Sequence, residues 1–213
     1  MGLPFMASPT LYGAGMASRN IAGRPREFDR DTAIEAAMQV FWSHGFEGTS
    51  TQALCERTGL GKGSLYNAFG SKQQLYELAL QHYQAQALAS QKHILSGPGS
   101  ARERLRKLLQ WGVDADLNGT ERRTCMALFA AMERARKEPS IQEIVRSHVV
   151  GLEKALCKVI AAGQKEGEFT NDRPALEVAR AFLSSYFGLR ILGQSMPDSA
   201  FLQDALEGIL ARL

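Results

Sequence analysis

One short segment, Lys62-Gly63-Ser64-Leu65-Tyr66-Asn67, carries side chains whose types and spacing suit the binding of a polar partner. Ser64, Tyr66 and Asn67 offer hydroxyl, phenol and amide groups, which form hydrogen bonds with phosphate oxygens and with base edges. Gly63 lets the backbone come close to a partner, and the free N–H groups at a helix start favour a phosphate. The segment therefore predicts a surface that contacts double-stranded DNA.

Two short helices on either side of a glycine turn would position this segment. Thr49 and Gln52 have the spacing of a capping box, which predicts that a helix starts there, and Thr58-Gly59 marks its end. A second helix is predicted directly after the turn, over Lys62 to Phe69. Two short helices joined by a tight turn form a helix-turn-helix, which reads the groove of a DNA duplex.

A basic arm precedes these helices. Gly23-Arg24-Pro25-Arg26 is kept extended by its proline and suits the minor groove, although a solvated tail explains the two arginines equally well. Lys72, near the start of the following helix, is expected to meet a backbone phosphate. The residues predicted to contact DNA are Arg24, Arg26, Thr49, Ser50, Thr51, Lys62, Gly63, Ser64, Tyr66, Asn67 and Lys72.

The glycines at positions 59, 61 and 63 also suggest a loop that binds a nucleotide. No strand is predicted before them, and neither G-x-G-x-x-G nor G-x-x-x-x-G-K-[ST] is completed. The pattern therefore favours DNA binding over nucleotide binding.

The run GLGKGSLYNAFGSKQQLY, preceded by GFEGTSTQALCERT, resembles the DNA-binding domain of the tetracycline-repressor (TetR) family. The resemblance is strong from Gly23 to Tyr83 and weak over the remaining chain. The sequence departs from the family at Cys55-Glu56, where a small residue followed by a polar one is more usual. The resemblance implies a transcriptional regulator, most often a repressor, which binds a palindromic operator as a homodimer and is released by a small-molecule effector.

Hydrophobic periodicity predicts helices along the rest of the chain and no strand. A helix is expected from Asp31 to His44 and another from Ser71-Lys72 to about Gln91, with later helices starting near residues 100, 124, 139, 174 and 197. The predicted fold is all-α, with an N-terminal three-helix helix-turn-helix domain followed by an antiparallel helical bundle for effector binding and dimerisation. The predicted divisions are a disordered tail at 1–22, the DNA-binding domain at 23–83 and the bundle at 84–213.

The last two helices predict a dimer interface. The helix after Pro174 is apolar on more than one face, so one face is expected to pack in its own bundle and another against a second copy. A wholly intramolecular core is the alternative. The residues predicted for the interface are Ser185, Leu189, Phe201, Leu202, Leu206 and Ile209.

Aromatic and methionine side chains of the bundle suggest an effector pocket, which the family holds between these helices. Arg190 would be its polar anchor. Plain core packing explains the same residue types. The residues predicted to bind the effector are Trp111, Met126, Phe129, Met132, Phe182, Tyr186 and Arg190.

Cys125 suggests a second function, as a sensor of oxidants or electrophiles. It lies near a predicted helix start after Arg122 and Arg123, and both the helix dipole and the guanidinium groups would stabilise a thiolate. The resemblance also extends to family members with a cysteine at this helix start, although Thr124 stands where glycine is usual. A small core residue is the alternative. A nucleic-acid packaging protein without an effector is a third, more distant function.

Composition excludes several other classes. The formal net charge is +3, so affinity for DNA would depend on the local placement of cations. Three cysteines without C-x-x-C spacing indicate neither disulfides nor structural zinc and favour the reducing cytoplasm. No apolar run approaches the roughly 20 residues that span a bilayer. The histidines lack metal-ligand spacing and there is no G-x-S-x-G motif, so we predict no enzyme activity, metal or cofactor.

Overall fold

The computed structural model describes residues 28–118, 125–170 and 172–213, and within these ranges the only regular structure is helical, as the sequence predicts. The predicted tail at 1–22 lies outside the described residues. The described helices are α1 (Arg30–Gly48), α2 (Thr51–Thr58), α3 (Lys62–Phe69), α4 (Lys72–Ser96), α5 (Ala101–Asn118), α6 (Met126–Glu133), α7 (Pro139–Lys165), α8 (Ala175–Ser195) and α9 (Ser199–Leu210).

Helix α1 begins at a cap and bends near its end. Asp29 caps it by accepting hydrogen bonds from the backbone N–H groups of Asp31 and Thr32. Gly45 has φ 70° and ψ 179°, a conformation that interrupts the helix directly after His44, the predicted end. A positive φ is strained for other residues, so glycine allows the chain to turn here toward α2.

The start of α2 differs from the predicted capping box. Ser50 is the N-cap, because its hydroxyl accepts a hydrogen bond from the Ala53 N–H group at 3.0 Å. The Gln52 amide instead donates to Glu56 at 2.9 Å. The Thr49 hydroxyl donates to the carbonyl of Gly45 at 2.6 Å and is buried. The Thr49 hydroxyl therefore binds the bend in α1, whereas the sequence predicts that it caps α2.

Two hydrophobic core clusters organise the chain, and α4 runs through both. The first joins α1 to α4 with α6 and the start of α7, through residues such as Phe41, Tyr76 and Ile144. The second joins the C-terminal half of α4 to α5, α7, α8 and α9, through residues such as Leu105 and Leu206. Because one helix contributes to both clusters, a displacement of α4 in the bundle would reach the helix-turn-helix. The domain division at residues 83 and 84 remains a prediction.

Candidate nucleic-acid interface

Helices α2 and α3 are fixed by a few buried residues that leave the predicted DNA-contacting face open. Leu54 of α2 and Leu65 of α3 are fully buried in the first core cluster, and Phe69 closes the end of α3. The opposite face carries the exposed residues Lys62, Gly63, Ser64 and Asn67. The structure therefore brings these four predicted residues together on one surface.

Tyr66 connects the two short helices. Its hydroxyl lies 2.6 Å from the hydroxyl of Thr51 at the start of α2, so the two residues share a hydrogen bond. Both side chains are half-buried. Each hydroxyl can form further hydrogen bonds, so the pair can position α3 and still present polar atoms at the surface.

The N-terminus of α3 is open to a partner. Gly61 is its N-cap and provides no side-chain hydrogen bond. A Cβ atom added at Gly61 or Gly63 would meet nothing within 4 Å. The first-turn N–H groups of a helix carry a partial positive charge, so this end of α3 suits a phosphate oxygen.

The remaining predicted DNA contacts occupy different settings. Ser50 is exposed beside the open face, whereas the structure corrects the assignment of Thr49, whose buried hydroxyl is bonded to Gly45. The ammonium group of Lys72 lies over the ring of Phe46, 4.4 Å from its centroid, at the start of α4. Arg24 and Arg26 lie outside the described residues.

Three of the predicted effector residues lie together in the described structure. Trp111, Tyr186 and Arg190 lie together, because the Arg190 guanidinium is 6.0 Å from the Trp111 ring and 3.4 Å from the Tyr186 hydroxyl. Asp116, which sequence reasoning missed, accepts two hydrogen bonds from Arg190 at 2.6 and 2.9 Å. Gln194 donates a third hydrogen bond to this carboxylate.

This buried ion pair changes the expected role of Arg190. Burial disfavours its charge, but the hydrogen bonds to Asp116 outweigh that cost and hold the pKa of Arg190 above its ordinary value. The guanidinium is thus neutralised by Asp116, which joins α5 to α8. The role of Arg190 as a polar anchor for an effector stays a prediction, and any effector would meet a guanidinium that is already bonded to Asp116.

The other predicted effector residues differ in exposure and in the core cluster that they join. Met126 is buried in the first core cluster, and Phe182 is buried in the second. Phe129 is 40% exposed and contacts the α1 bend, where a Cβ atom added at Gly45 would lie 2.7 Å from its ring. Met132 is 64% exposed. Their hydrophobic periodicity reflects packing on different neighbours, which sequence alone does not distinguish.

Cys125 lies at a helix start, as predicted, and is the N-cap residue of α6. It is 3% exposed. Burial raises the pKa of Tyr83 well above its ordinary value. The neighbouring Cys125, with which Tyr83 shares a hydrogen bond, raises this pKa further. The guanidinium of Arg190 also interacts electrostatically with Cys125. Arg122 and Arg123 lie outside the described residues.

The predicted dimer residues separate into two groups. Leu189, Leu202 and Leu206 are buried in the chain's own second core cluster, so their assignment to an intermolecular surface is corrected. Ser185 and Ile209 are half-buried, and Phe201 is exposed. The exposed large apolar residues on this side of the bundle are Ile191, Leu192, Met196 and Phe201.

A further link, which the sequence did not predict, joins the end of α6 to the end of α1. The carboxylate of Glu133, the last residue of α6, accepts hydrogen bonds from the backbone N–H groups of Phe46 and Glu47 at 3.0 and 3.1 Å. Arg134 lies 4.1 Å from the Phe46 ring centroid and forms an ion pair with Glu47 at 2.6 Å. The C-terminus of α6 therefore holds the segment that leads into the helix-turn-helix.

Among the residues that the structure describes, no group of three or more histidine, cysteine, aspartate or glutamate side chains is arranged to hold a metal ion. The described helices also include none that is long and apolar enough to cross a membrane.

The fold and the site define a helix-turn-helix DNA-binding protein joined to a helical bundle. The family model described as bacterial regulatory proteins, tetR family, matches residues 33–79. The model described as the tetracyclin repressor-like C-terminal domain matches residues 101–209. The chain belongs to the tetracycline-repressor family of transcriptional regulators, as its sequence resemblance predicts, and these regulators are not enzymes.

Individual relatives extend this finding over nearly the whole chain. The HTH-type transcriptional regulator YezE of Bacillus subtilis is 29% identical over 192 residues, which cover 90% of this chain and 99% of YezE. The repressor ComR of Escherichia coli is 46% identical over 61 residues, or 29% of each chain. The solved structure of a cysteine mutant of the regulator CifR, complexed with 26-base-pair operator DNA, is 31% identical with a TM-score of 0.77 and covers 89% of this chain and 98% of CifR.

Proposed function

We propose that this regulator is a repressor that binds a palindromic operator as a homodimer and is released by a small-molecule effector. The observation that carries the DNA-binding step is the open face of α3, where Lys62, Gly63, Ser64 and Asn67 are exposed beside an uncapped N-terminus. The CifR mutant was solved in complex with operator DNA, and ComR is a transcriptional repressor, which supports the same step here. Its place of action would be the cytoplasm, where bacterial DNA is found.

Dimerisation would occur through α8 and α9. Ile191, Leu192 and Met196 form an exposed apolar strip along the end of α8, and Phe201 adds to it from α9. A Cβ atom added at Gly188 would meet nothing within 4 Å, so α8 can approach another backbone closely on this side. Apolar surface of this kind is typical of an interface between subunits. Two such copies would present two α3 helices to half-sites about 34–36 Å apart.

Release would depend on the helices that connect the bundle to the DNA-binding face. Helix α4 begins next to α3 and contributes to both core clusters. Helix α6 holds the end of α1 through Glu133. An effector that favours another arrangement of α4 or α6 would change the separation of the two α3 helices and lower operator affinity.

Selection of DNA from a random duplex library tests this proposal. The full chain should enrich an inverted repeat, and footprinting should show protection of both half-sites on one face of the duplex. Enrichment of no common sequence would contradict sequence-specific regulation and would favour nonspecific packaging. Enrichment of a single half-site bound by a monomer would contradict the dimer.

A second proposed function is redox or electrophile sensing by Cys125. The proposal is supported by the place of Cys125 at the N-cap of α6, by its hydrogen bond with Tyr83 and by its interaction with Arg190. With peroxide, the sulfur would attack one oxygen, the O–O bond would break and the second oxygen would leave as hydroxide or water, giving a sulfenic acid. An added group would strain this buried position and displace α6.

Mild peroxide or an electrophile should lower operator affinity in the wild type and not in Cys125→Ser. Cys55→Ser and Cys157→Ser are matched controls that should respond like the wild type, because both residues are half-buried within helices. An equal response of the wild type and Cys125→Ser, or no response of either, would leave Cys125 as a core residue.

A further inference from the structure

A cavity between α4 and α7 contains two buried polar side chains. Its volume is about 390 Å³, and Gln84 of α4 and His148 of α7 line it together with Leu88 and Ile144. Gln84 is 7% exposed and His148 is 2% exposed. Among the residues that the structure describes, neither the Gln84 Nε2 nor either ring nitrogen of His148 has a hydrogen-bond partner. Buried polar groups normally have partners, so the cavity suits a polar ligand atom.

These groups define what the inner end of the cavity can bind. Burial lowers the pKa of His148 to about 4, so its ring is neutral at pH 7 and provides one donor and one acceptor. The Gln84 amide provides donors. A hydroxyl group both accepts and donates, so one hydroxyl can accept from the Gln84 amide and donate to the unprotonated ring nitrogen of His148.

The cavity continues along α7 into a groove of different character. Leu88 and Ser147 line both, and the second part has a volume of about 740 Å³. Its apolar floor includes Leu95 and Val159. Leu88 packs against Gly151 at the junction, because a Cβ atom there would lie 2.7 Å from the Leu88 side chain. An apolar side chain therefore lies where the two parts meet.

Three lysines border this second part: Lys92, Lys154 and Lys158. All three are exposed, and in the part of the chain that the structure describes none of them forms an ion pair. Arg104 adds another positive charge, although its guanidinium donates to the carbonyls of Ser100 and Leu95. A cluster of cations above an apolar floor favours a ligand with a carboxylate.

We propose that the α4–α7 groove binds a long-chain organic acid, with its carboxylate at the three lysines and a hydroxyl group at Gln84 and His148. The ten-residue separation of His148 and Lys158 along α7 corresponds to about 15 Å at about 1.5 Å per residue, which matches a chain of roughly twelve carbons. The inference rests on the proposed function in that such a ligand would act as the effector. By bridging α4 and α7, it would shift the helix that begins beside α3.

Calorimetric titration of the full chain tests the groove with three matched probes: 12-hydroxydodecanoate, dodecanoate and 1,12-dodecanediol. The first carries both polar ends, the second lacks the hydroxyl group and the third lacks the carboxylate. We expect one 12-hydroxydodecanoate per chain, bound about tenfold more tightly than either of the others, because each loses a buried or charge-assisted hydrogen bond. Equal affinities of the three probes, or no binding of any, would overturn the proposal and leave a cavity that holds water only.

Variants test the carboxylate-binding end and the hydroxyl-binding end of the groove separately. The double variant Lys154→Gln/Lys158→Gln should lose the preference for 12-hydroxydodecanoate over the diol, whereas the control Lys137→Gln/Lys165→Gln, exposed beside the two ends of α7, should keep it. His148→Leu should lose the preference over dodecanoate. Gln84→Leu serves as a second variant if His148→Leu does not fold. Unchanged preferences in these folded variants would overturn the assignment.

Operator binding is measured separately for the same proteins. Without a probe, the groove variants should bind the selected DNA as the wild type does, and 12-hydroxydodecanoate should release it only from the wild type and the lysine control. Binding of the probe without release would contradict its role as effector, while DNA selection would still decide the regulatory function. Failure of DNA selection would leave the calorimetric result on the groove intact.

Discussion

At the scale of single residues, the buried pair of Arg190 and Asp116 is expected to affect stability when only one partner is removed. Their side chains are 4% and 2% exposed, and two hydrogen bonds join them across α5 and α8. A buried ion pair contributes little net stability compared with apolar residues, but removing one partner leaves an uncompensated charge. The pair therefore joins α5 and α8, and the loss of either partner alone should be costly.

Asp116→Ala should lower the free energy of unfolding by about 3–5 kcal/mol, because the Arg190 guanidinium would remain buried without its carboxylate. Urea denaturation at pH 7 measures this change. The double variant Asp116→Leu/Arg190→Met removes both charges and should recover most of the loss. A loss below about 1 kcal/mol in Asp116→Ala would show that the guanidinium finds water or another partner.

His148 should give the protein an acid-sensitive component of stability. Burial holds its pKa at about 4 in the folded chain, against an ordinary value of 6.5, so protonation favours the unfolded chain. The stability is fully present above pH 6.5 and is lost as the pH falls through the folded pKa. The expected loss between pH 7 and pH 4 is about 3 kcal/mol.

Urea denaturation as a function of pH measures this contribution. His148→Leu should show a shallower decrease of unfolding free energy below pH 6.5 than the wild type. His93→Leu is the matched control and should keep the wild-type slope, because His93 is exposed near the end of α4. Parallel curves for the wild type and His148→Leu would show that His148 is not responsible.

At the scale of elements, α6 connects the bundle to the DNA-binding face. Its first turn begins at Cys125, beside Tyr83 of α4, and its last residue, Glu133, binds the N–H groups of Phe46 and Glu47. The helix has only eight residues, so both ends act on a short and stiff element. A displacement at either end would be transmitted to the bend at Gly45.

Glu133→Gln should loosen this connection by weakening two charge-assisted hydrogen bonds, each of about 1.5–3 kcal/mol. We expect faster amide hydrogen exchange at Phe46 and Glu47 and a lower affinity for operator DNA. Glu207→Gln is a matched control, because the exposed carboxylate of Glu207 on α9 binds Arg106 of α5 at 2.8 Å and no hydrogen bond joins it to this backbone in the described structure. Equal exchange rates in the two variants would contradict the link through Glu133.

Local sequence signals predicted the elements well and their partners poorly. Ser71 and Ser100 cap α4 and α5, and Pro139 begins α7, so these three helices start where the sequence predicts. These features depend on neighbours within four residues. The hydroxyl of Thr49 instead donates to the carbonyl of Gly45 at the bend. Arg190 binds Asp116, which lies 74 residues away in the sequence. Such choices depend on how helices pack, which periodicity does not specify.

The same reason explains the corrected dimer face. On α8, Leu189 and Leu192 are both apolar and lie three residues apart, yet only Leu192 is exposed. An apolar helix with several apolar faces does not reveal which face its own bundle covers. The structure assigns Leu189 to the core and leaves Leu192 for a partner. By contrast, the exposure of the polar residues of α3 could be predicted, because such side chains are seldom buried in an apolar core.

At the scale of the whole molecule, the proposed dimer brings two α3 helices to one duplex. Leu192→Glu should yield a folded monomer, because it places a charge in the apolar strip of α8 while leaving the core intact. Sedimentation equilibrium measures the mass of the particle. Gln142→Glu is the matched control, since it places the same charge at an exposed position of α7. A dimer that persists in folded Leu192→Glu would contradict the proposed interface.

The central claim is that α3 reads the operator, and the affinity of Ser64→Ala/Asn67→Ala for selected DNA tests it most directly. Both side chains are exposed on α3, so the variant should remain folded and dimeric. Fluorescence anisotropy should show a loss of about 100-fold or more in specific affinity, at about 1–3 kcal/mol per base contact, with little change on random DNA. Ser90→Ala/Gln142→Ala, exposed on α4 and α7, should bind like the wild type. Unchanged operator affinity in the α3 variant would contradict the account.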